Sequence, residues 1–329
     1  METKRPKISV LIICYNQEIL IRRAIESLLS QAAYIYEICI SDDNSTDNTW
    51  NVITEYAKNF PNLFKIHRNI PNLGIFKNIE YTWKMPTGDL IYQLSGDDEC
   101  GLDWLKTVSN FVIDNSLDFK NSSFCIYGDY QAIYPNGDSF ISSNRHITNG
   151  HDPVGLAMRK LICSRSVCFS RNVLKRFIEV SDGRSYAVES AQDMQIQIMS
   201  DTNYYIPMVG NKYHTGIGVS VSQNRKDSDI EHLTPMEYLK KVLDTADHKL
   251  SRYDQKLYNY YNTRAHHKKN ASSTEVTSFF TKVTHTCYLK ALYFCSIDPS
   301  LGIYNFKLKR YLFAIFRRIP HKKPIRWYI

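Results

Sequence analysis

The sequence lacks three features that would place it in common protein classes. No segment reaches the roughly 18 uninterrupted apolar residues of a membrane-spanning helix. None of the eight cysteines forms a C-x-x-C pair, which argues against a zinc site or a disulfide framework. No glycine-rich phosphate loop follows the first apolar segment. What remains is a globular composition, 43% hydrophobic and 22% charged, in a 329-residue chain that can form one large domain and a smaller appendage.

The positions of the cysteines and the sequence of the N-terminus both predict that the protein is cytoplasmic. Cys14 and Cys39 lie in or at the end of apolar segments that read as buried strands, which suits a reducing compartment. Lys4, Arg5 and Lys7 precede an apolar run, as in a signal peptide. That run is only about six residues long and no small-residue cleavage site follows it, so we expect no export.

Three apolar segments each end in polar side chains. These segments are residues 8–13, 35–40 and 90–94, and they are followed by Tyr15-Asn16, Asp42-Asp43 and Asp97-Asp98-Glu99. Between them, residues 21–29 and 52–60 carry apolar side chains at helical spacing. Strands that alternate with helices predict a parallel sheet, whose carboxyl ends share one edge. We therefore expect the acidic side chains to lie side by side at that edge.

Adjacent carboxylates at a strand end are expensive to bury unless a cation or hydrogen-bond donors compensate them. Mg²⁺ and Mn²⁺ take oxygen ligands and often bridge carboxylates to a substrate phosphate. Gly96, just before Asp97 and Asp98, would keep the approach to these acids open. The alternative is an acidic turn solvated at the surface, and Asp42 could likewise be a structural turn acid.

Five segments, in order and at the expected spacing, resemble glycosyltransferase family 2, whose members are inverting enzymes with the GT-A fold. The segments lie within residues 6–220 and are ISVLIICYN, ISDDNSTD, NLG followed by KN, TGDLI and SGDD. Ser95 stands where many members have an aspartate. The resemblance implies an α/β fold, GT-A (Rossmann-like), with a mixed, mainly parallel sheet flanked by helices and a C-terminal helical extension.

The resemblance assigns a nucleotide site. Asp43 would accept a hydrogen bond from the ring N–H of a uracil or thymine, and Tyr15 would stack on that base. The other nucleotide-binding candidates are Asn16, Glu18, Asn72, Lys77 and Asp97. Lys77 could equally be a solvated helix-face lysine, and Asn72 could shape its loop.

The resemblance also implies a divalent metal, Mg²⁺ or Mn²⁺, held by Asp98 with Asp97 as a second candidate ligand. The ion would stabilise the leaving diphosphate. His214 stands where an arginine is common and is a candidate diphosphate contact, with a structural or solvated role as the alternative.

The general base of the family usually ends an E-D pair at the start of an amphipathic helix. Here the segment reads Gln192-Asp193, with Met194, Ile198 and Met199 on one helical face. The resemblance therefore makes Asp193 the general base, which would take the proton from the acceptor hydroxyl. Its alternative is a helix-capping acid, and Glu189 is the reserve candidate.

The resemblance and the composition divide the chain in two. Residues 1–225 would form the catalytic domain, with a nucleotide-sugar half at about 1–100 and an acceptor half at about 101–225. Residues 226–329 would form a helical region. Its last 30 residues contain eight Lys and Arg and no acid, which equals the net charge of +8 of the whole chain. Apolar residues at helical spacing between Leu308 and Ile319 predict an amphipathic helix on an anionic membrane surface, or one docked on the catalytic domain.

Together these features predict transfer of a hexose or hexosamine from a UDP-sugar to a polyprenyl-diphosphate-linked saccharide in surface polysaccharide assembly. The protein would be peripheral on the inner face of the plasma membrane. The alternatives are a dTDP-rhamnose donor, a nucleotidyltransferase, or a non-catalytic nucleotide-sugar-binding protein. We expect no nucleic-acid partner, because the excess charge is confined to the tail and no nucleic-acid-binding motif is present.

Overall fold

The computed structural model describes residues 5–143, 166–176, 199–217 and 325–328, and the single positions 196, 197 and 244. The first half alternates strands and helices: β1 (Ile8–Cys14), α1 (Leu20–Leu29), β2 (Glu37–Asp42), α2 (Thr49–Asn59), β3 (Phe64–Arg68), α3 (Ile75–Trp83) and β4 (Leu90–Ser95). The remaining elements are β5 (Glu99–Cys100), α4 (Trp104–Asp114), β6 (Phe124–Ile133), β7 (Ser139–Ser143), β8 (Val167–Ser170), α5 (Arg171–Lys175), β9 (Thr202–His214) and β10 (Ile325–Tyr328).

Within these ranges the strands form one ten-stranded sheet. Its main path runs in the order β10-β7-β6-β8-β4-β1-β2-β3, and β9 pairs with both β6 and β5. Strands β1 to β4 are parallel to one another, whereas β8 is antiparallel to both β4 and β6. This mixed α/β sheet confirms the predicted fold class for the described part of the chain.

Burial of apolar side chains explains why the first half folds as predicted. Strands β1, β2 and β4 are buried along nearly their whole length, as expected for parallel strands covered on both faces. Helix α1 buries Ile21, Ala24, Ile25 and Leu28, which form one apolar stripe at i, i+3, i+4 and i+7. Each such aliphatic side chain contributes about 1.5–3 kcal/mol when fully buried.

The chain changes direction across the sheet at β1. From β1 it proceeds through β2 and β3 on one side, then crosses back to place β4 on the other side. Cys14 lies opposite Asp42 and Ile13 lies opposite Ser95, so the three carboxyl ends are level. Such a reversal point is where open α/β sheets bind ligands. Because neighbouring strands are about 4.8 Å apart, the ends of β2 and β4 are separated by roughly 10 Å.

The second half of the sheet brings distant segments to the same edge. Strand β9 runs parallel to β6 and then pairs antiparallel with the short β5, where Lys212 lies opposite Glu99. Trp104 of α4 is fully buried against Gly128 of β6 and Gly210 of β9. The Pro135–Asp138 segment forms the tight turn of the β6–β7 hairpin.

Much of the predicted C-terminal region lies outside the described residues. Within residues 226–329, the structure describes only Asp244 and the 325–328 segment, which is a strand parallel to β7 rather than a helix. The proposed amphipathic segment between Leu308 and Ile319 falls outside. Among the helices that the structure does describe, none is both long enough and apolar enough to cross a bilayer.

Candidate active site

Asp43 is the first residue after β2 and lies at the centre of a hydrogen-bonded loop. Its backbone N–H donates to the Cys14 carbonyl at 3.0 Å, which fixes it beside the end of β1. Its carboxylate is 3% exposed and accepts three hydrogen bonds, from Asn69 Nδ2 (2.8 Å) and Leu73 N (2.9 Å) on Oδ1 and from Gly74 N (2.9 Å) on Oδ2. A carboxylate has about four acceptor sites. These three hydrogen bonds therefore leave one acceptor position of the carboxylate, on Oδ2, for a further donor.

Asn72 closes the loop that surrounds Asp43. Its Nδ2 donates to the Asp43 carbonyl at 2.6 Å, and its Oδ1 accepts from Gly74 N at 3.1 Å. Gly74 has φ +81°, a left-handed conformation that glycine adopts without steric cost. Asn72 thus shapes the loop, and its contact with a nucleotide stays a prediction. Lys77 is exposed on α3, which begins directly after this loop.

The loop after β1 carries Tyr15, Asn16 and Glu18. The Tyr15 side chain is 38% exposed beside the end of β1. Asn16 Oδ1 accepts from Thr46 N at 2.8 Å, and Glu18 Oε2 accepts from Asn48 N at 3.0 Å. Asn16 and Glu18 therefore tie this loop to the loop after β2 and hold Tyr15 and Asp43 in a fixed relation. Their contact with a nucleotide stays a prediction.

Asp42 has the structural role that the sequence left open. It is fully buried, accepts from Ser45 N at 3.1 Å, and forms an ion pair with Arg68 Nε at 3.3 Å. Burial raises the pKa of the Asp42 carboxyl, while its hydrogen bonds with Ser45 and the charge of Arg68 act in the opposite direction. Asp42 anchors the β2–α2 loop from within the core.

Gly96 lets the turn between β4 and β5 approach β1 closely. Its N–H donates to the Ile13 carbonyl at 3.2 Å. A Cβ at this position would lie 2.3 Å from Gln17 Oε1 and 3.1 Å from Cys14 Cβ, so any larger residue would push the turn away. The turn therefore flanks the β1 end on the side opposite Asp43.

The two acids of this turn differ in environment. Asp98 is 1% exposed, and its Oδ1 accepts a hydrogen bond from His214 N at 3.2 Å. Asp97 is half-buried, and its carbonyl accepts from the Arg23 guanidinium at 2.6 Å. Buried carboxylate oxygens fit a hard divalent cation. Across the described ranges, no group of three or more His, Cys, Asp or Glu could hold a metal ion.

Glu99 organises a cluster that the sequence analysis missed. Its carboxylate lies 2.6 Å from His214 Nε2, 3.5 Å from Lys212 Nζ and 3.5 Å from Arg23 Nε. The His214 ring thus contacts Glu99, and its predicted contact with a diphosphate stays a prediction. A signal existed in the sequence, because Lys212 and His214 alternate along a strand and so share one face. Their pairing with Glu99 depends on a sheet contact across more than 100 residues.

The structure brings Asp43 and the Asp97–Asp98 turn to one edge of the sheet, as predicted. The candidate general base, Asp193, and the reserve, Glu189, lie outside the described residues. The described geometry therefore places the Asp43 carboxylate on one side of the β1 end and the carboxylates of the Asp97–Asp98 turn on the other.

Comparison with known proteins relates this geometry to a family. Residues 9–152 match the family model described as Glycosyl transferase family 2. Chondroitin synthase of Pasteurella multocida is 28% identical over 189 residues, which cover 57% of this chain. Poly(ribitol-phosphate) beta-glucosyltransferase of Bacillus spizizenii is 32% identical over 114 residues, which cover 34% of this chain. Each match spans only 18% of the relative's own length.

Solved structures share the fold at low sequence identity. S. aureus TarS 1-349 in complex with UDP has a TM-score of 0.54 and 15% identity, covering 83% of this chain and 78% of that one. The same protein in complex with UDP-GlcNAc has a TM-score of 0.52 and 17% identity, covering 77% and 78%. The predicted fold, a mixed and mainly parallel sheet of the GT-A type, is confirmed by these similarities.

Proposed function

We propose that this chain, whose residues 9–152 match the model of glycosyl transferase family 2, is a member of that family and transfers a sugar from a nucleoside diphosphate sugar to a saccharide hydroxyl. One observation carries the proposal. The N–H of Asp43 and the N–H of Gly96, which opens the Asp97–Asp98 turn, donate to consecutive residues at the end of β1, Cys14 and Ile13, on its two sides. A nucleoside diphosphate laid across this edge would meet Asp43 with its base and the paired carboxylates with its phosphates.

The base recognised would be uracil. The remaining acceptor site on Asp43 Oδ2 suits the ring N–H of a pyrimidine, and the exposed Tyr15 ring offers a stacking surface. The TarS structures of the same fold contain UDP and UDP-GlcNAc. We therefore assign a UDP-hexose or UDP-hexosamine as donor. Thymine carries the same N–H, so a dTDP-sugar is the nearest competitor.

The diphosphate would lie against the Asp97–Asp98 turn. The Asp98 carboxylate, with Asp97 as the second candidate, would hold Mg²⁺ or Mn²⁺. Such an ion, when bound, neutralises the charge that develops on the departing diphosphate. Lys77 is exposed on α3, directly after the loop that surrounds Asp43, and is a candidate to add positive charge near the nucleotide.

The acceptor would be a saccharide attached to a polyprenyl diphosphate. Asp193 would accept the proton of the attacking hydroxyl, and the new bond would form with inversion at the anomeric carbon. The relatives named above include two enzymes of sugar-polymer synthesis, which supports a polysaccharide role. The basic tail at 300–329 would hold the protein on the anionic inner membrane surface, where each basic residue contributes about 1 kcal/mol.

Turnover of a nucleotide-sugar panel tests the proposal. Purified full-length protein with Mn²⁺ should release UDP from at least one UDP-sugar, and Asp98→Asn should lower this rate by about 100-fold or more, because one ligand to the ion is lost. Asp114→Asn is the matched control, since Asp114 is exposed at the end of α4 and its loss should leave the rate unchanged. A wild-type protein that consumes no member of a broad panel would refute the proposal.

The general base is tested separately. Asp193→Asn should lower transfer to the acceptor by about 10²–10⁴-fold, the usual contribution of a positioned base, with little change in donor binding. Glu189→Gln should retain activity. The opposite pattern would transfer the role to Glu189, and full turnover by both variants would eliminate this part of the mechanism.

Flotation with vesicles tests the membrane assignment. The full chain should bind vesicles that contain anionic lipid and not neutral ones, and binding should fall as salt is raised. Replacing Arg317, Arg318, Lys322 and Lys323 with glutamine should abolish it. If equal amounts of the protein float with anionic and with neutral vesicles, the result would favour a tail that packs on the catalytic domain.

A further inference from the structure

We infer that Glu99 is a positioning residue that neutralises the positive charge beside Asp98 and thereby favours a divalent cation at that turn. The inference rests on the proposed function, since it assigns Glu99 a role toward the metal and nucleotide of that site. It concerns a residue that follows Asp98 directly in the chain and contacts side chains from two other elements.

The contacts of Glu99 join three separate parts of the fold. Arg23 comes from α1, while Lys212 and His214 come from the end of β9. Two of these residues also hold the proposed metal turn directly, through the Arg23 guanidinium on the Asp97 carbonyl at 2.6 Å and the His214 N–H on Asp98 Oδ1 at 3.2 Å. Glu99 therefore shares its partners with Asp97 and Asp98.

The cluster is sheltered enough for its charge to matter. The Glu99 and His214 side chains are 19% and 15% exposed, and those of Arg23 and Lys212 are about one-third exposed. By contrast, the Arg22–Glu55 ion pair on the outer surface has side chains that are 43% and 59% exposed. Charges in the sheltered cluster are screened less by solvent than those of the outer pair.

The sign of the effect follows from charge alone. With Glu99 ionised, its negative charge offsets the positive charges of Arg23 and Lys212 near the Asp98 carboxylate. Replacing Glu99 with glutamine leaves those charges uncompensated, which repels Mn²⁺ and attracts a metal-free diphosphate. Loss of a purely structural contact would instead weaken the binding of both ligands.

Two titrations on the full-length protein separate these cases. The first counts free Mn²⁺ by its electron paramagnetic resonance signal in the presence of UDP. The second measures UDP binding by calorimetry in EDTA. We expect Glu99→Gln to weaken Mn²⁺ binding by about five- to tenfold and to leave metal-free UDP binding equal or tighter. Glu55→Gln, which removes the same charge from the exposed pair, should change neither.

A second variant reverses the sign and guards against misfolding of the first. Lys212→Met removes a positive charge from the same cluster and should tighten Mn²⁺ binding while weakening metal-free UDP binding. Wild-type Mn²⁺ affinity in Glu99→Gln, or a parallel loss of both ligands in it, would overturn the inference. A wild-type protein that binds UDP neither with nor without Mn²⁺ would instead overturn the proposed function, and the inference with it.

Discussion

Replacing Asp43 with asparagine should loosen the Leu73–Gly74 loop and weaken UDP binding together. The NH₂ group of the new side chain can replace only one of the two carboxylate oxygens. In the Oδ1 position it would oppose two donors, Asn69 Nδ2 and Leu73 N, whereas in the Oδ2 position it would oppose only Gly74 N. The second orientation costs less, so we expect the Gly74 N–H to lose its bond to Asp43 and to keep only its longer bond to Asn72 Oδ1.

The size of the effect follows from the nature of the lost bond. A hydrogen bond to a charged group contributes about 1.5–3 kcal/mol. Because Asn72 Oδ1 still accepts from Gly74 N, we expect the free energy of unfolding to fall by about 2 kcal/mol, a sizeable part of the stability of an ordinary domain. The same amide would point its N–H groups at the position proposed for the base N–H, so UDP affinity should fall by about tenfold or more.

Urea unfolding and amide hydrogen exchange measure the two structural consequences. Exchange at the Leu73 and Gly74 amides should become faster in Asp43→Asn. The control is Asp138→Asn in the exposed β6–β7 turn, where Asp138 Oδ2 accepts only from Asn136 Nδ2 among the described contacts, and where we expect a change below about 0.5 kcal/mol. Unchanged unfolding and unchanged exchange in Asp43→Asn would refute the role assigned to this carboxylate.

Three further predictions test the surroundings of the site. Gly96→Ala should lower the free energy of unfolding by about 1–3 kcal/mol, measured in urea, and should weaken UDP–Mn²⁺ binding, because its Cβ would lie 2.3 Å from Gln17 Oε1; wild-type binding would contradict this. Burial raises the pKa of all five described cysteines, to about 12 at Cys39, Cys100 and Cys125. At about pH 9 these thiols should therefore stay protonated and should not react with iodoacetamide. Peptide mass spectrometry of the native protein after treatment measures the alkylation of Cys14, Cys39, Cys100, Cys125 and Cys168. Burial raises the pKa of Glu37, but hydrogen bonds from Thr87 and Ser9 outweigh it and leave that pKa below its ordinary value of 4.5. Glu37 thus stabilises the fold above pH 4.5 and loses this contribution as the pH falls through its lower folded-state pKa. In Glu37→Gln, the free energy of unfolding measured in urea should therefore decrease less steeply as the pH is lowered through this range.

The first half of the fold could be predicted because its signals are local. Strands β1, β2 and β4 each contain a short run of apolar residues, and α1 repeats its apolar residues at helical spacing. Parallel strand ends share an edge, so the meeting of Asp43 with Asp97 and Asp98 followed from the order of elements.

The remainder depends on contacts between distant segments. Strand β6 runs through Gly128 and Asp129 to Ile133, because β9 pairs with it through an irregularity at Asp129. Glycine and aspartate are poor strand formers, and no local pattern announces that a partner strand will hold them. The cluster at Glu99 was missed for the same reason, since Lys212 reaches it only after β9 has paired with β5.

A structure of the protein with UDP and Mn²⁺ would locate both ends of the nucleotide in one experiment. We expect a manganese anomalous peak at the Asp98 carboxylate and a uracil ring whose N–H donates to Asp43 Oδ2. A nucleotide bound elsewhere, or one whose base lies at the Asp97–Asp98 turn, would contradict this expectation.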